Sequence, residues 1–194
     1  MNKLSHTDLM TLEAYAKARP ELRAHVIAHK KNRNLALGEH VSLIFEDEIT
    51  VRYQIQEMLR VERIFEQAGI QDELDAYNPL IPDGSNWKAT MLIEYPDVAQ
   101  RQTMLARLKG IENQLWMQTD GQSKIYAIAD EDMERANAEK TSAVHFIRFE
   151  LDAASIGAIK AGAIVSIGID HPEYQVQISA LPDVTRSALV KDLT

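Results

Sequence analysis

The sequence predicts an α+β fold in which N-terminal helices pack on a mostly antiparallel sheet. Up to about residue 78, apolar residues recur at helical spacing, whereas from about residue 88 they mostly alternate with polar residues, as in strands. Short, turn-forming links join those strands, which is typical of antiparallel pairing. The length of 194 residues suits a single domain, residues 1–194, with a helical part at about 1–78 and a sheet-rich part at about 88–194.

The helical part is predicted to begin with a helix capped by Ser5 or Thr7 that continues to about Arg19. Pro20 suits the first turn of a second helix, which ends near Arg33. Further along, the same patterns predict a strand over 40–46, a helix over 47–68 that stops at Gly69, and a short helix over 71–77.

A long loop is predicted over 78–87, where prolines, asparagines and an Asp-Gly pair are concentrated. Asn78, Asp83 and Asn86 in this loop either contact a polar ligand or satisfy the backbone of the turn. Beyond the loop, the pattern predicts strands over 88–95, 141–151, 164–169 and 174–178, a hairpin over 115–128, and helices over 97–109, 130–140, 153–161 and 183–193.

The charge and composition exclude several classes of partner and site. A net charge of -8 argues against binding to nucleic acid or to an anionic membrane surface, since both favour basic proteins. The absence of cysteine excludes disulfides, thiol catalysis and cysteine-ligated zinc or iron–sulfur clusters. Because the N-terminus lacks the apolar region of a signal peptide, we expect a cytoplasmic protein.

Common catalytic signatures are missing from the sequence. It contains no GxxxxGK[ST] or GxGxxG phosphate-binding loop and no GxSxG nucleophile elbow. The motifs therefore leave open whether the protein is an enzyme, and they define neither catalytic residues nor a cofactor.

Two pairs of residues nevertheless suggest a metal site. His25 and His29 are four residues apart, which places both imidazoles on one side of a helix. Glu62 and Glu66 have the same spacing and fall inside the apolar stripe of the helix predicted over 47–68. Because each helix has an apolar stripe that needs cover, we expect the two helices to contact each other. These four side chains could then bind iron, manganese or zinc. Glu62 should be mostly buried and paired with an arginine or a histidine.

A structural interpretation of the same residues is also open. The glutamates have Arg52, Arg60 and Arg63 nearby in the sequence, and carboxylates paired with arginine are common in protein interiors. The Glu-x-x-His pattern of ferritin-like metal sites is absent. The histidines would then form structural hydrogen bonds.

Two further histidines are placed where their chemistry could matter. His145 lies on the apolar face of the strand predicted over 141–151, which is typical of a core histidine with satisfied hydrogen bonds and also of a buried catalytic group. His171 precedes Pro172 in a turn with Asp170 and Glu173, and this group either binds a metal or, as the sequence favours, forms a solvated turn. We expect structural roles for both.

Stretches spread over nearly the whole chain resemble a bacterial family catalogued as domain of unknown function 3501. They cover residues 23–33, 37–38, 45–47, 53–60, 62–64, 74–84, 94–97, 126–130 and 141–146. The family has no assigned reaction and no defined catalytic residues. Its genes are often found beside those of rubrerythrin-like and iron–sulfur oxidoreductase proteins, so the resemblance implies a redox setting.

Two functions of different class are compatible with these observations. The first is an accessory or interaction protein that docks onto a redox protein partner through its acidic surface or its long loop. The second is a metal-binding protein or metal-dependent enzyme that uses His25, His29, Glu62 and Glu66. The lack of cysteines and of catalytic motifs favours the first.

Overall fold

The computed structural model of the protein describes residues 3–137 and 139–194 and has the α+β architecture that the sequence predicts. The α-helices in these ranges are α1 (Leu12–Lys31), α2 (Glu48–Glu62), α3 (Gln67–Tyr77), α4 (Val98–Arg107), α5 (Ala153–Lys160) and α6 (Asp183–Leu189). The strands are β1 (Asn34–Leu37), β2 (Val41–Phe45), β3 (Asn86–Ile93), β4 (Leu115–Thr119), β5 (Ile125–Tyr126), β6 (Ile128–Ala129), β7 (Val144–Glu150), β8 (Val165–His171) and β9 (Tyr174–Ile178).

The strands form two antiparallel sheets rather than one. The five-stranded sheet has the order β1-β2-β3-β7-β6, and the four-stranded sheet has the order β5-β4-β8-β9. Residues that alternate along these strands fill a common core, with Leu43, Phe45 and Trp87 from the first sheet and Met117 and Ile167 from the second. The outer face of the five-stranded sheet is therefore available to the helices.

The N-terminal helices form a layer with a small core of their own. Val51, Ile55 and Leu59 of α2 pack there with Leu74 and Ile81. Helices α1 and α2 contact each other, as predicted from their apolar stripes. No helix in the part of the chain that the structure describes is long and apolar enough to cross a membrane.

The predicted break at Pro20 is wrong, because α1 continues from Leu12 to Lys31 with Pro20 inside it. Proline lacks the N–H that would bond to the carbonyl one turn earlier, but the remaining turns on both sides keep the helix continuous. Strand β1 follows directly and pairs with β2, although its four residues were not predicted as a strand.

The predicted end of the long helix is also wrong. Helix α2 ends at Glu62 because Arg63 adopts the left-handed conformation, with φ of 57°. Gly69 lies inside α3 instead of terminating a helix. Since the chain turns away after Arg63, the apolar stripe loses its covering neighbour, and Phe65 is 71% exposed.

The helix predicted over 130–140 does not form in the residues of this segment that are described, while Ala138 lies outside them. Asp130 adopts a left-handed conformation with φ of 53°. Its carboxylate accepts a hydrogen bond from the Phe146 amide at 3.0 Å, which holds the segment against β7 and prevents a regular helix.

Candidate functional site

Of the four predicted metal ligands, the structure brings His25 and His29 together. Their rings lie 6.4 Å apart in a stacked arrangement on α1. His25 is exposed, whereas His29 is partly buried with its Nε2 atom 2.6 Å from Oδ2 of Asp47. Asp47 also caps α2, since its other carboxylate oxygen accepts from the Thr50 amide at 2.9 Å.

Glu62 and Glu66 lie elsewhere. His29 meets α2 at its first residues, and Glu62 is fifteen residues further on, about 22 Å along the helix axis. Both glutamates are exposed, so the prediction that Glu62 is buried and paired is wrong. In residues 3–137 and 139–194, no group of three or more His, Asp or Glu side chains is placed to hold a metal ion.

His145 is a fully buried core residue with a partner at each ring nitrogen, as the structural interpretation predicts. Nδ1 donates to Oδ2 of Asp130 at 2.6 Å, and Nε2 lies 2.9 Å from the Thr141 hydroxyl. Thr141 in turn donates to the buried carboxylate of Glu112 at 3.2 Å. The imidazole has no exposed surface for a substrate to contact.

His171 corrects another expectation, because it is buried rather than solvated. Its Nε2 donates to the carbonyl oxygen of Lys109 at 3.1 Å, and its Nδ1 accepts from the Glu173 amide at 3.2 Å. His171 therefore joins the turn to the segment that follows α4 and also stabilises the backbone of the turn itself.

The polar residues of the predicted long loop bind protein backbone. Asn78 both accepts from and donates to the backbone of Leu4, at 2.8 and 2.9 Å. Although burial opposes it, hydrogen bonds from Ser85 and Asn86 lower the pKa of Asp83 to about 2. These contacts agree with the alternative in which the polar residues of the loop satisfy backbone groups and do not bind a ligand.

A second buried polar network joins the helical layer to the C-terminus. Arg33, which follows α1, binds both carboxylate oxygens of Asp192 at 2.7 and 2.8 Å. It also lies 2.9 Å from Asp47, which links it to His29. Burial raises the pKa of Asp192, while the Arg33 guanidinium opposes that rise.

The outer face of the five-stranded sheet carries the most accessible candidate site. Strand alternation turns every second residue of β2, β3 and β7 away from the core. In the register of the sheet, Ile44 lies opposite Thr90, and Thr90 lies opposite Phe146. The next row pairs Leu92 with Val144. The helices cover this face incompletely.

The gap contains a cavity of about 290 Å³, which we call the Glu46 cavity. Helices α1 to α3 and the turn after α3 form one wall, and the sheet forms the other. It is lined by Lys30, Ile44, Glu46, Val51, Gln54, Tyr77, Leu80, Thr90, Leu92, Val144 and Phe146.

Glu46 is the buried acid of this cavity. It follows Ile44 by two residues, so its side chain lies on the same outer face, and its amide extends the sheet by donating to the Lys88 carbonyl at 2.8 Å. The residue is 8% exposed, and one carboxylate oxygen accepts from the Thr90 hydroxyl at 2.7 Å. No described Lys, Arg or His lies within 4.0 Å of the carboxylate.

Two further cavities adjoin this one. A cavity of about 60 Å³ shares Leu80 and Phe146 with it, and an open depression of about 760 Å³ shares Leu92 and Val144. We call the three together the outer-face groove. At its small end Lys88 donates to the Pro79 carbonyl at 2.5 Å, and burial together with the charge of Lys3 lowers the pKa of Lys88.

Sequence reasoning missed Glu46, although a signal was present. The alternation that places Val41, Leu43 and Phe45 in the core leaves Ser42, Ile44 and Glu46 on the other face. An acid at the end of a strand face, directly before a helix-capping Asp, is an identifiable candidate. What the sequence could not show is that helices would cover it.

Comparison with known proteins decides the family. The sequence model described as "Protein of unknown function (DUF3501)" matches residues 3–193. The chain belongs to this family. The chain is similar to a protein of unknown function from Burkholderia pseudomallei whose crystal structure is known at 1.90 Å resolution. The two are 54% identical, with a TM-score of 0.95, over 100% of each chain. No functionally curated protein matches this DUF3501 chain.

Proposed function

We propose that this protein is a cytoplasmic accessory protein that binds a redox protein partner, and that the outer-face groove receives the partner. The groove itself carries the proposal. It combines apolar walls with a buried carboxylate on a sheet face that the protein's own helices leave partly uncovered. The redox part rests on the resemblance of the sequence to a family whose genes lie beside those of redox proteins.

The placement of the histidines supports binding over catalysis. His145 is fully buried between Asp130 and Thr141, and His29 is held by Asp47. Groups that are fixed in this way stabilise the fold, and a general base must instead reach the proton that it removes. The groove offers shape and charge for recognition.

The partner that fits is a protein surface with an apolar patch and a basic side chain. The protein carries a net charge of -8, which favours approach by a basic face. Val144, which is 38% exposed, lies where the Glu46 cavity meets the open depression and would contact the apolar patch.

A pull-down from the protein's own cytoplasm tests the proposal. The parent protein is compared with the variants Val144→Arg and Val184→Arg, and untagged protein is added as a competitor. Val184→Arg is the control, because Val184 is also exposed but lies on α6, outside the groove. We expect a rubrerythrin-like or iron–sulfur protein to bind the parent and Val184→Arg, and to be lost from Val144→Arg. Equal recovery by all three, or no redox protein at all, would contradict the proposal.

Metal binding makes a different prediction for the same preparation. Ligation by His25, His29, Glu62 and Glu66 requires stoichiometric iron, manganese or zinc in protein purified without an affinity tag. His29 contacts the first turn of α2 whereas Glu62 lies at its other end, and this separation favours the accessory function. Stoichiometric metal that disappears in His29→Ala would support the metal-binding alternative instead.

A further inference from the structure

We infer that the Glu46 cavity is the recognition site for an arginine side chain, which the partner inserts between the sheet and the helices. The inference deepens the proposed function and rests on it for the source of the arginine. The recognition chemistry can be tested without the partner.

The first observation is that Glu46 is buried while no Lys, Arg or His of the described residues lies within 4.0 Å of its carboxylate. A carboxylate can accept about four hydrogen bonds, and the Thr90 hydroxyl supplies one, at 2.7 Å. A buried ionised carboxylate is unfavourable unless it is paired. The nearest buried cation, Arg33, is already bound to Asp47 and Asp192.

The second observation is the balance of charge around this position. Glu46, Asp47 and Asp192 are all buried, and Arg33 is the buried cation that faces them in the described structure. His29 and Lys30 are partly exposed at the edge. A guanidinium bound at Glu46 would give this carboxylate a cation of its own.

The third observation is the shape and lining of the cavity. Its volume of about 290 Å³ is at the lower limit for small-molecule sites and suits one long side chain. Ile44, Leu92 and Phe146 would contact the methylene groups, and the planar guanidinium can donate two parallel hydrogen bonds to a carboxylate. Arginine therefore fits better than lysine.

Lys30 provides an internal check on the sign of the ligand charge. It lines the cavity, and among the described residues it forms no ion pair with Glu46 within 4.0 Å. Its ammonium group should repel a cation in the cavity. Removing that charge should therefore strengthen the binding of a guanidinium and weaken the binding of an anion.

The test uses n-butylguanidinium as a probe for the arginine side chain, with n-butylurea as its neutral counterpart, in NMR titrations of the whole protein. We expect saturable shifts at Thr90 and Phe146 with the cation, at least tenfold weaker binding in Glu46→Gln, and tighter binding in Lys30→Gln. Glu21→Gln, an exposed acid of α1 that lines none of the three cavities of the groove, is the matched control and should bind as the parent does.

Other outcomes would overturn the inference. These are equal binding of the urea, unchanged binding in Glu46→Gln, or weaker binding in Lys30→Gln. Glu46→Gln keeps the acceptor for Thr90, and its thermal unfolding is recorded so that loss of fold is recognised. If it unfolds, Glu46→Asp, which withdraws the carboxylate by one methylene, replaces it and should also weaken binding.

The partner experiment separates this inference from the proposed function. If the probe binds through Glu46 but no redox protein is recovered, the proposed function fails and the arginine site stands. If a redox protein is recovered equally by the parent and Glu46→Gln but lost from Val144→Arg, the accessory function stands and the arginine site is wrong.

Discussion

At the scale of single residues, many buried and partly buried polar groups in the described part of the chain have several partners. Glu57 accepts from the Tyr15 hydroxyl at 2.6 Å and from Arg19 at 2.7 and 2.9 Å, and Arg60 adds a third donor. His145 is similarly held at both ring nitrogens. Glu46, with the Thr90 hydroxyl as its protein partner, departs from this pattern, and the contrast supports the binding role that we propose for it.

Replacing His145 by Ala should destabilise the fold strongly. The substitution opens a cavity in the core and leaves Asp130 and Thr141 without their imidazole partner, which together should lower the free energy of unfolding by about 3–5 kcal/mol. Urea denaturation measures the change, with His25→Ala, an exposed histidine, as the control. A loss below about 1 kcal/mol would show that the network does not stabilise the core.

Glu57 should contribute stability that depends on pH. The hydrogen bond from Arg19, followed by those from Arg60 and Tyr15, holds its pKa well below the ordinary value of 4.5. Because the folded-state pKa lies below the unfolded-state pKa, ionised Glu57 stabilises the protein above about pH 4.5. That contribution is lost as the pH falls through the folded-state value.

Glu57→Gln should therefore unfold more easily at pH 7, by about 1–3 kcal/mol, as expected for loss of charged hydrogen bonds. Denaturant titrations at pH 7, 5.5 and 3.5 should show the difference between parent and variant shrinking at the lowest pH. A difference that stays constant across the three pH values would contradict the assignment of the lowered pKa.

At the scale of elements, the strands follow the sequence pattern closely, while the helix ends depend on single backbone conformations. Alternating residues predicted β2, β3 and β7, and the Asp120-Gly121 turn predicted the hairpin of β4 with β5. Helix α2 instead stops at Arg63 because that residue adopts positive φ, which its sequence does not indicate. This is why the predicted burial of Glu62 is wrong: the apolar pattern of the sequence continues beyond the residue at which the helix ends.

Pro20 tests the energetics of α1 directly. It lies inside a helix of 20 residues and is exposed, so it removes a backbone hydrogen bond without a packing role. Pro20→Ala should raise the free energy of unfolding by about 1–2 kcal/mol, less than the full helix penalty because proline also restricts the unfolded chain. Thermal unfolding measures the gain, with the adjacent exposed substitution Glu21→Ala as control. A loss of stability would mean that the restriction which Pro20 imposes on the unfolded chain outweighs its cost to the helix.

At the scale of the whole molecule, contacts between distant parts of the sequence hold the layers together. The Arg33–Asp192 pair spans 159 positions, and Trp87 donates to the Leu189 carbonyl at 2.9 Å. The last residue, Thr194, donates its amide to the Gly84 carbonyl at 3.0 Å. No periodicity or spacing encodes such pairs, so sequence reasoning could predict the fold class but neither this network nor the covering of Glu46 that makes the cavity.

The two ends of that network should respond differently to substitution. Arg33→Met leaves both Asp47 and Asp192 buried without their guanidinium, and the loss of one member of a buried ion pair typically costs about 3–5 kcal/mol. Asp192→Asn keeps a hydrogen-bond acceptor for Arg33, whose guanidinium still faces Asp47, so the expected loss is about 1–2 kcal/mol.

Urea denaturation at pH 7 ranks the two variants, and hydrogen exchange at the Thr194 amide reports whether the C-terminus has been released. If Asp192→Asn were the more damaging, the buried carboxylate of Asp192 rather than Arg33 would hold the helical layer to the C-terminus. With Arg33 as the shared partner, its removal leaves Asp192 without an ion pair and leaves Asp47 with His29 alone.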